Sequence, residues 1–160
     1  MEGVIHSVNV SEGGGVPKFP IRAATVRHEG LEGDHNRFRA ERKGGDSRRA
    51  INIYSLERIR QLQEEGHSIE VGSTGENLTI EGMDWDALEV GMVLKVGGAT
   101  IRLSEPCAPC SKIRGSFVDG RFERVDHEQE FGWSRWLASV VKEGMVSTGD
   151  VVSVLVPGED

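Results

Sequence analysis

Hydrophobic positions along this chain come in short runs, most of them too short for helices and bounded by glycine or proline. Residues 3–9 (Gly-Val-Ile-His-Ser-Val-Asn) are rich in β-branched side chains and predict a first strand. After the turn cluster Gly13-Gly14-Gly15-Val16-Pro17, a second extended segment is expected near residues 21–28. A strand over 50–54 places Ile51 and Ile53 on one face. Ser55 then stands where a helix N-cap belongs, Leu56, Ile59 and Leu62 recur at spacing three, and Gly66 fits a C-cap. That pattern predicts a helix of about three turns.

Residues 75–82 read as a turn and a short strand. Residues 93–96 and 99–104 read as two strands joined by the hairpin signal Gly97-Gly98. Asp119-Gly120 between short β-like runs suggests another hairpin, with helix as an equal competitor. Trp133, Trp136, Leu137, Val140 and Val141 fall at helical spacing and predict a second helix ending at Gly144, its tryptophans packed in the core. After a turn at 147–150, residues 151–156 close the chain as a strand. Seven to nine short strands with about two short helices predict a mainly β fold, closed into a barrel to remove exposed edges. A doubly wound sheet would need helices between most strands.

Composition adds little to the fold and more to the setting. A chain of 160 residues, 37% hydrophobic and 28% charged, fits one globular domain spanning residues 1–160. Its 21 glycines are scattered, as turns in a β-rich fold require. No apolar run approaches the roughly 18–20 residues of a membrane span, and Met1-Glu2-Gly3 lacks the basic and apolar regions of a secretory signal. The expectation is a soluble, cytoplasmic protein. In a reducing compartment two cysteines point to ligation or chemistry rather than to a structural bridge.

The net charge of −7 argues against nucleic acid as a partner, because non-specific binding rests on phosphate neutralisation. The charge is uneven, however. Between Arg37 and Arg49 six basic residues (Arg37, Arg39, Arg42, Lys43, Arg48, Arg49) face two acidic ones (Glu41, Asp46). This is either a solvated loop or an anion site. Upstream, Gly30-Leu31-Glu32-Gly33-Asp34-His35 suggests a tight turn with exposed amides; it lacks the P-loop pattern GxxxxGK[ST].

The chemistry concentrates at Glu105-Pro106-Cys107-Ala108-Pro109-Cys110-Ser111-Lys112-Ile113, which holds both cysteines. Prolines stiffen the loop and force the chain out of its strand. Lys112 and Arg114 follow at once, and nearby cations favour the thiolate. Three chemistries stay open for this C-x-x-C. Zinc wants four ligands, and there is no second pair; the histidines (His6, His28, His35, His67, His127) are scattered. Disulfide oxidoreductases place such a pair at a helix start in a βαβ unit, whereas prolines and strands surround this one. A soft-metal or sulfur-bearing thiolate is the third.

The series Gly30-Leu31-Glu32-Gly33-Asp34, Gly75-Glu76-Asn77-Leu78-Thr79-Ile80-Glu81-Gly82, Glu105-Pro106-Cys107-Ala108-Pro109-Cys110 and the closing stretch from Gly144 to Val152 resembles, in this order, the MOSC domain. That family takes its name from the C-terminal domain of molybdenum cofactor sulfurases. The resemblance covers nearly the whole chain, as a stand-alone member. It implies a β-barrel of the MOSC, pyruvate-kinase-like type that binds molybdenum cofactor (molybdopterin). It makes Cys110 the metal ligand or sulfur-bearing, catalytic residue, with Cys107 secondary. Family members act in cofactor sulfuration, as sulfur or cofactor carriers, or as molybdenum-dependent reductases of N-hydroxylated compounds. Expected partners are an electron-transfer protein or a molybdoenzyme. A link to pyridoxal phosphate exists by family analogy, but no lysine motif here supports a Schiff base.

A thiolate suits molybdenum, which takes soft sulfur ligands. Arg37, Arg48, Arg49, Lys112 or the turn amides after Gly30 would hold the cofactor's phosphate. Asn77 would either bind a pterin edge or satisfy its own backbone in a turn, and Asp34 would either orient a basic neighbour or make a turn. The competing readings are a non-catalytic barrel that binds a small anion or a partner protein, and a thiol- or zinc-binding protein using Cys107 and Cys110.

Overall fold

The computed structural model describes residues 1–35 and 46–156. Its strands are β1 (Glu2–Val10), β2 (Phe19–Ile21), β3 (Ala23–Arg27), β4 (Gly30–Leu31), β5 (Ile51–Ser55), β6 (Leu78–Glu81), β7 (Val93–Val96), β8 (Ala99–Cys107), β9 (Arg135–Lys142), β10 (Gly144–Ser147) and β11 (Val151–Leu155). The main sheet runs β11-β7-β8-β9-β5-β6-β1-β2, and β11 also pairs with the start of β1. Seven strands therefore form a closed ring, with β2 attached to the far end of β1. All pairings in the ring are antiparallel except β5 with β6. A second, three-stranded sheet, β10-β3-β4, lies outside it. Ile5, Val8, Ile53, Ile80, Leu94, Ile101 and Val152, spread over the strands of the ring, are 1% exposed or less and supply the apolar burial that holds the closed sheet together.

Helix α1 (Leu56–Glu64) forms as its sequence predicts. Ser55 Oγ accepts from Arg58 N at 3.1 Å, Leu56, Ile59 and Leu62 are buried, and Gly66 leaves the helix at φ +100°.

Three expectations need correction. The stripe at 133–141 is the strand β9, not a helix. Arg135, Trp136, Leu137 and Ala138 are buried consecutively, because β9 lies between β8 and β5 with other segments covering both of its faces. A continuous apolar run of this kind fits strand or helix equally, and the two neighbouring strands decide it. The core expectation holds for Trp136, which is 4% exposed. Trp133 precedes the strand and is only half-buried, with the Arg58 and Arg124 guanidinium carbons 4.6 and 3.9 Å from its ring centre.

The Asp119-Gly120 segment reverses the chain but forms no hairpin. Three 3-10 turns cover 111–116, 118–120 and 122–125, and Asp119 itself sits at φ +54°. The buried anchors Ile113, Phe117 and Val125 recur at wide spacing, which suits turns better than alternation. Finally, β8 continues past the first proline. The register shifts between Leu103 and Glu105, and Pro106 then lies opposite Trp136 and Cys107 opposite Arg135. A bulge lets proline sit in a paired strand, so the chain leaves the sheet after Cys107.

Candidate functional site

Where β8 ends, a cavity of about 450 Å³ opens between the cysteine loop, the start of β9, β5 and the segment around Val16. This size lies within the roughly 300–1,000 Å³ typical of small-molecule sites. Cys107 and Cys110 both line it. They differ in environment: Cys107 is 5% exposed, with Asn52 Nδ2 at 3.7 Å from its Sγ, whereas Cys110 is exposed on the loop. Both are free thiols.

Among the described residues four cations share this wall, namely Lys18, Arg49, Lys112 and Arg135, against the carboxylate of Glu105. Arg49 Nη1 is 3.4 Å from that carboxylate. Lys18 Nζ is 2.6 Å from Asp34 Oδ2, and both side chains are buried. Asp34 is saturated: its Oδ1 accepts from Ser11 N at 2.7 Å, and its Oδ2 also accepts from Asn77 Nδ2 at 2.9 Å. In an acidic protein this wall is a local positive field, which draws anions.

Beneath the wall a polar network fixes the backbone. Asn77 Oδ1 accepts from the Asn52 amide at 3.1 Å, so Asn77 acts through the strand that carries Asn52. The Glu76 carboxylate is fully buried and accepts from Gly72 N, Thr74 Oγ1 and Thr79 Oγ1 at 3.0, 3.1 and 2.9 Å. Burial pushes this carboxyl above the ordinary glutamate value, against the opposing pull of those donors. Thr74 also offers its carbonyl to Arg135 Nη1 at 2.6 Å. The stretch read from the sequence as a turn and strand is thus the cavity's support.

Of the expected site residues, Cys110, Arg49 and Lys112 meet in the cavity. Asp34 and Asn77 stand one layer behind it. Arg48 does not line it; it is exposed and pairs with Asp46 at 3.0 Å. Arg37 lies outside the described residues. Lys18, Asn52, Thr74 and Arg135 escaped notice in the sequence. Arg135 sat inside an apolar stripe, where a lone cation reads as an interruption, and Lys18 stood in a glycine-proline turn with nothing to mark it. Among the described residues no three His, Cys, Asp or Glu side chains gather as a metal-binding set.

The donor set suits an anionic, soft-metal ligand. A free thiol stands beside several cations, and two buried polar atoms in the wall, Asn52 Oδ1 and Arg135 Nε, have no partner among the described residues. Buried polar atoms are nearly always satisfied, so partners from a bound molecule or its water fit here. The residues present therefore fit molybdenum cofactor.

Comparison with known proteins agrees with the fold. The family model of the MOSC domain matches residues 36–153. Uncharacterized protein YflK of Bacillus subtilis (strain 168) is 29% identical over 147 residues, covering 91% of this chain and 65% of its own length. Protein YiiM of Escherichia coli (strain K12) is 32% identical over 122 residues, covering 74% and 53% respectively. The chain thus spans only about half to two-thirds of these relatives. Among solved structures, YiiM from Geobacillus stearothermophilus superposes with TM-score 0.71 at 24% identity, over 98% of this chain and 76% of its own. The YUAD protein of Bacillus subtilis gives 0.69 at 18% identity, covering 96% of both chains. From the closed barrel, the ordered motifs and a family match across most of its length, the chain belongs to the MOSC domain family.

Proposed function

We propose that this protein binds molybdenum cofactor in the cavity beside Cys110 and uses it either as a reductase of N-hydroxylated compounds or in carrying cofactor or sulfur to another enzyme. The observation that supports this most directly is the meeting of Cys110 with Arg49, Lys112 and Arg135 around one cavity. Cys110 would supply the thiolate to the metal, and Arg49 and Lys112 would hold the anionic end. When bound, the cofactor supplies a molybdenum centre able to exchange oxygen and electrons. The chain's own part is to hold and orient: Glu76, Asn77 and Thr74 fix the strands that carry Asn52 and Arg135, and the buried wall limits water. Reduction would require electrons from a partner protein, in keeping with a cytoplasmic setting. Among the described residues no helix is long and apolar enough to cross a membrane.

The test is metal content after expression in a molybdate-replete host. Wild type should retain molybdenum, Cys110→Ser should lose most of it, and Cys107→Ser should lose less, because Cys107 is buried behind the loop. Zinc at one equivalent in place of molybdenum, or equal retention in wild type and Cys110→Ser, would defeat this reading.

A further inference from the structure

Arg135 is held in a way the fold alone does not require. It begins β9 directly opposite Cys107, lines the cavity, and is 5% exposed. Its guanidinium carries five N–H donors. Among the described residues it has one acceptor, the Thr74 carbonyl, and no carboxylate pairs with it; Nε is buried without a partner. Two other wall cations differ, since Lys18 is neutralised by Asp34 and Arg49 reaches Glu105. Burying a charge is costly unless it is paired and hydrogen-bonded. Acidic support reaches Arg135 only indirectly: Thr74 offers it a carbonyl and donates its hydroxyl to buried Glu76. That link orients the arginine without saturating it.

We propose that Arg135 is the inner anion anchor of this cavity, binding an oxyanion of phosphate or carboxylate class on the ligand held beside the cysteines. Thr74, braced by Glu76, positions it. A planar guanidinium with free donors suits a two-point grip on such a group. The proposal deepens the reading above by taking the same cavity as the ligand site, but it does not need the ligand to contain molybdenum.

The test uses full-length protein from a molybdate-depleted host, titrated with inorganic phosphate and, separately, acetate, at ionic strength held constant with chloride. Calorimetry should show one of these oxyanions binding wild type, and Arg135→Gln and Arg135→Met should bind it about tenfold or more weakly, the loss expected for a charged hydrogen bond. Both variants should melt no lower than wild type, because they remove an under-paired buried charge. A residue held only for the fold would not behave so.

Wild type that binds neither oxyanion beyond the chloride control would overturn the anchor. So would variants that bind like wild type, and so would the collapse of both variants, which would make Arg135 a structural residue. Molybdenum content, measured in parallel on protein from a replete host, separates the two ideas. Absent molybdenum with Arg135-dependent oxyanion binding would sink the cofactor reading and leave the anchor. Retained molybdenum with oxyanion binding indifferent to Arg135 would do the reverse.

Discussion

At the scale of single residues the site is a set of unequal charges. Cys107 and Cys110 look symmetrical as a C-x-x-C, yet burial separates them: one is inside the wall beside Asn52, the other exposed on the loop. Glu76 shows how far burial reshapes a side chain that the sequence presents as an ordinary turn acid. Its folded carboxyl titrates above the unfolded value near 4.5, so between those two points the folded state holds a proton that the unfolded state has released. The stabilising contribution is complete below about pH 4.5 and is lost as pH rises through the raised folded value. Glu76→Gln removes the titration, so the variant should gain on wild type as pH rises from about 4 to about 8. Melting temperatures of both proteins across that range check this, and a difference constant with pH would contradict it.

At the scale of elements, Asp34 ties three segments that are far apart in sequence. It receives the Ser11 amide just after β1, the Lys18 ammonium before β2, and the Asn77 amide at the start of β6. The expectation that Asp34 orients a basic neighbour acquires a named partner, Lys18. Removing one member of a buried pair leaves the other charge uncompensated, so Asp34→Ala should cost about 3–5 kcal/mol. Urea denaturation checks it, and the double change Asp34→Leu with Lys18→Met should recover much of the loss. A cost for Asp34→Ala under about 1 kcal/mol, the level of an exposed pair, would show that the pair is not isolated from water. The elements that sequence pattern located best were those with a local signature. The α1 helix had a cap, a stripe and a terminal glycine, and the 93–104 hairpin had Gly97-Gly98. Strand β9 and the turns of 111–125 had no such signature, because partners distant in sequence settle them.

For the whole molecule, the seam between β1 and β11 decides whether the sheet is a barrel. Val152 sits at that seam, opposite Gly3 on one side and Val96 on the other, and is fully buried. Val152→Ala should destabilise by about 1.5–3 kcal/mol, the worth of a buried valine side chain, and lower the single unfolding transition seen by tryptophan fluorescence and far-UV circular dichroism together. Separate transitions for the two probes would mean that the ring does not fold as one unit. The mainly β character with its closed barrel, the glycine-rich turns and the cysteine loop were legible in the sequence, whose seven to nine expected strands compare with eleven among the described residues, because each short run and turn rests on neighbours within a few residues. Which strands meet at the seam, the extension of β8 to Cys107, and the meeting of Lys18, Arg49, Asn52 and Arg135 beside the cysteines were not. Those depend on strand register, and a one-residue slip of β9 against β8 would put Arg135 and Cys107 on opposite faces, so only the folded barrel assigns them to a common wall.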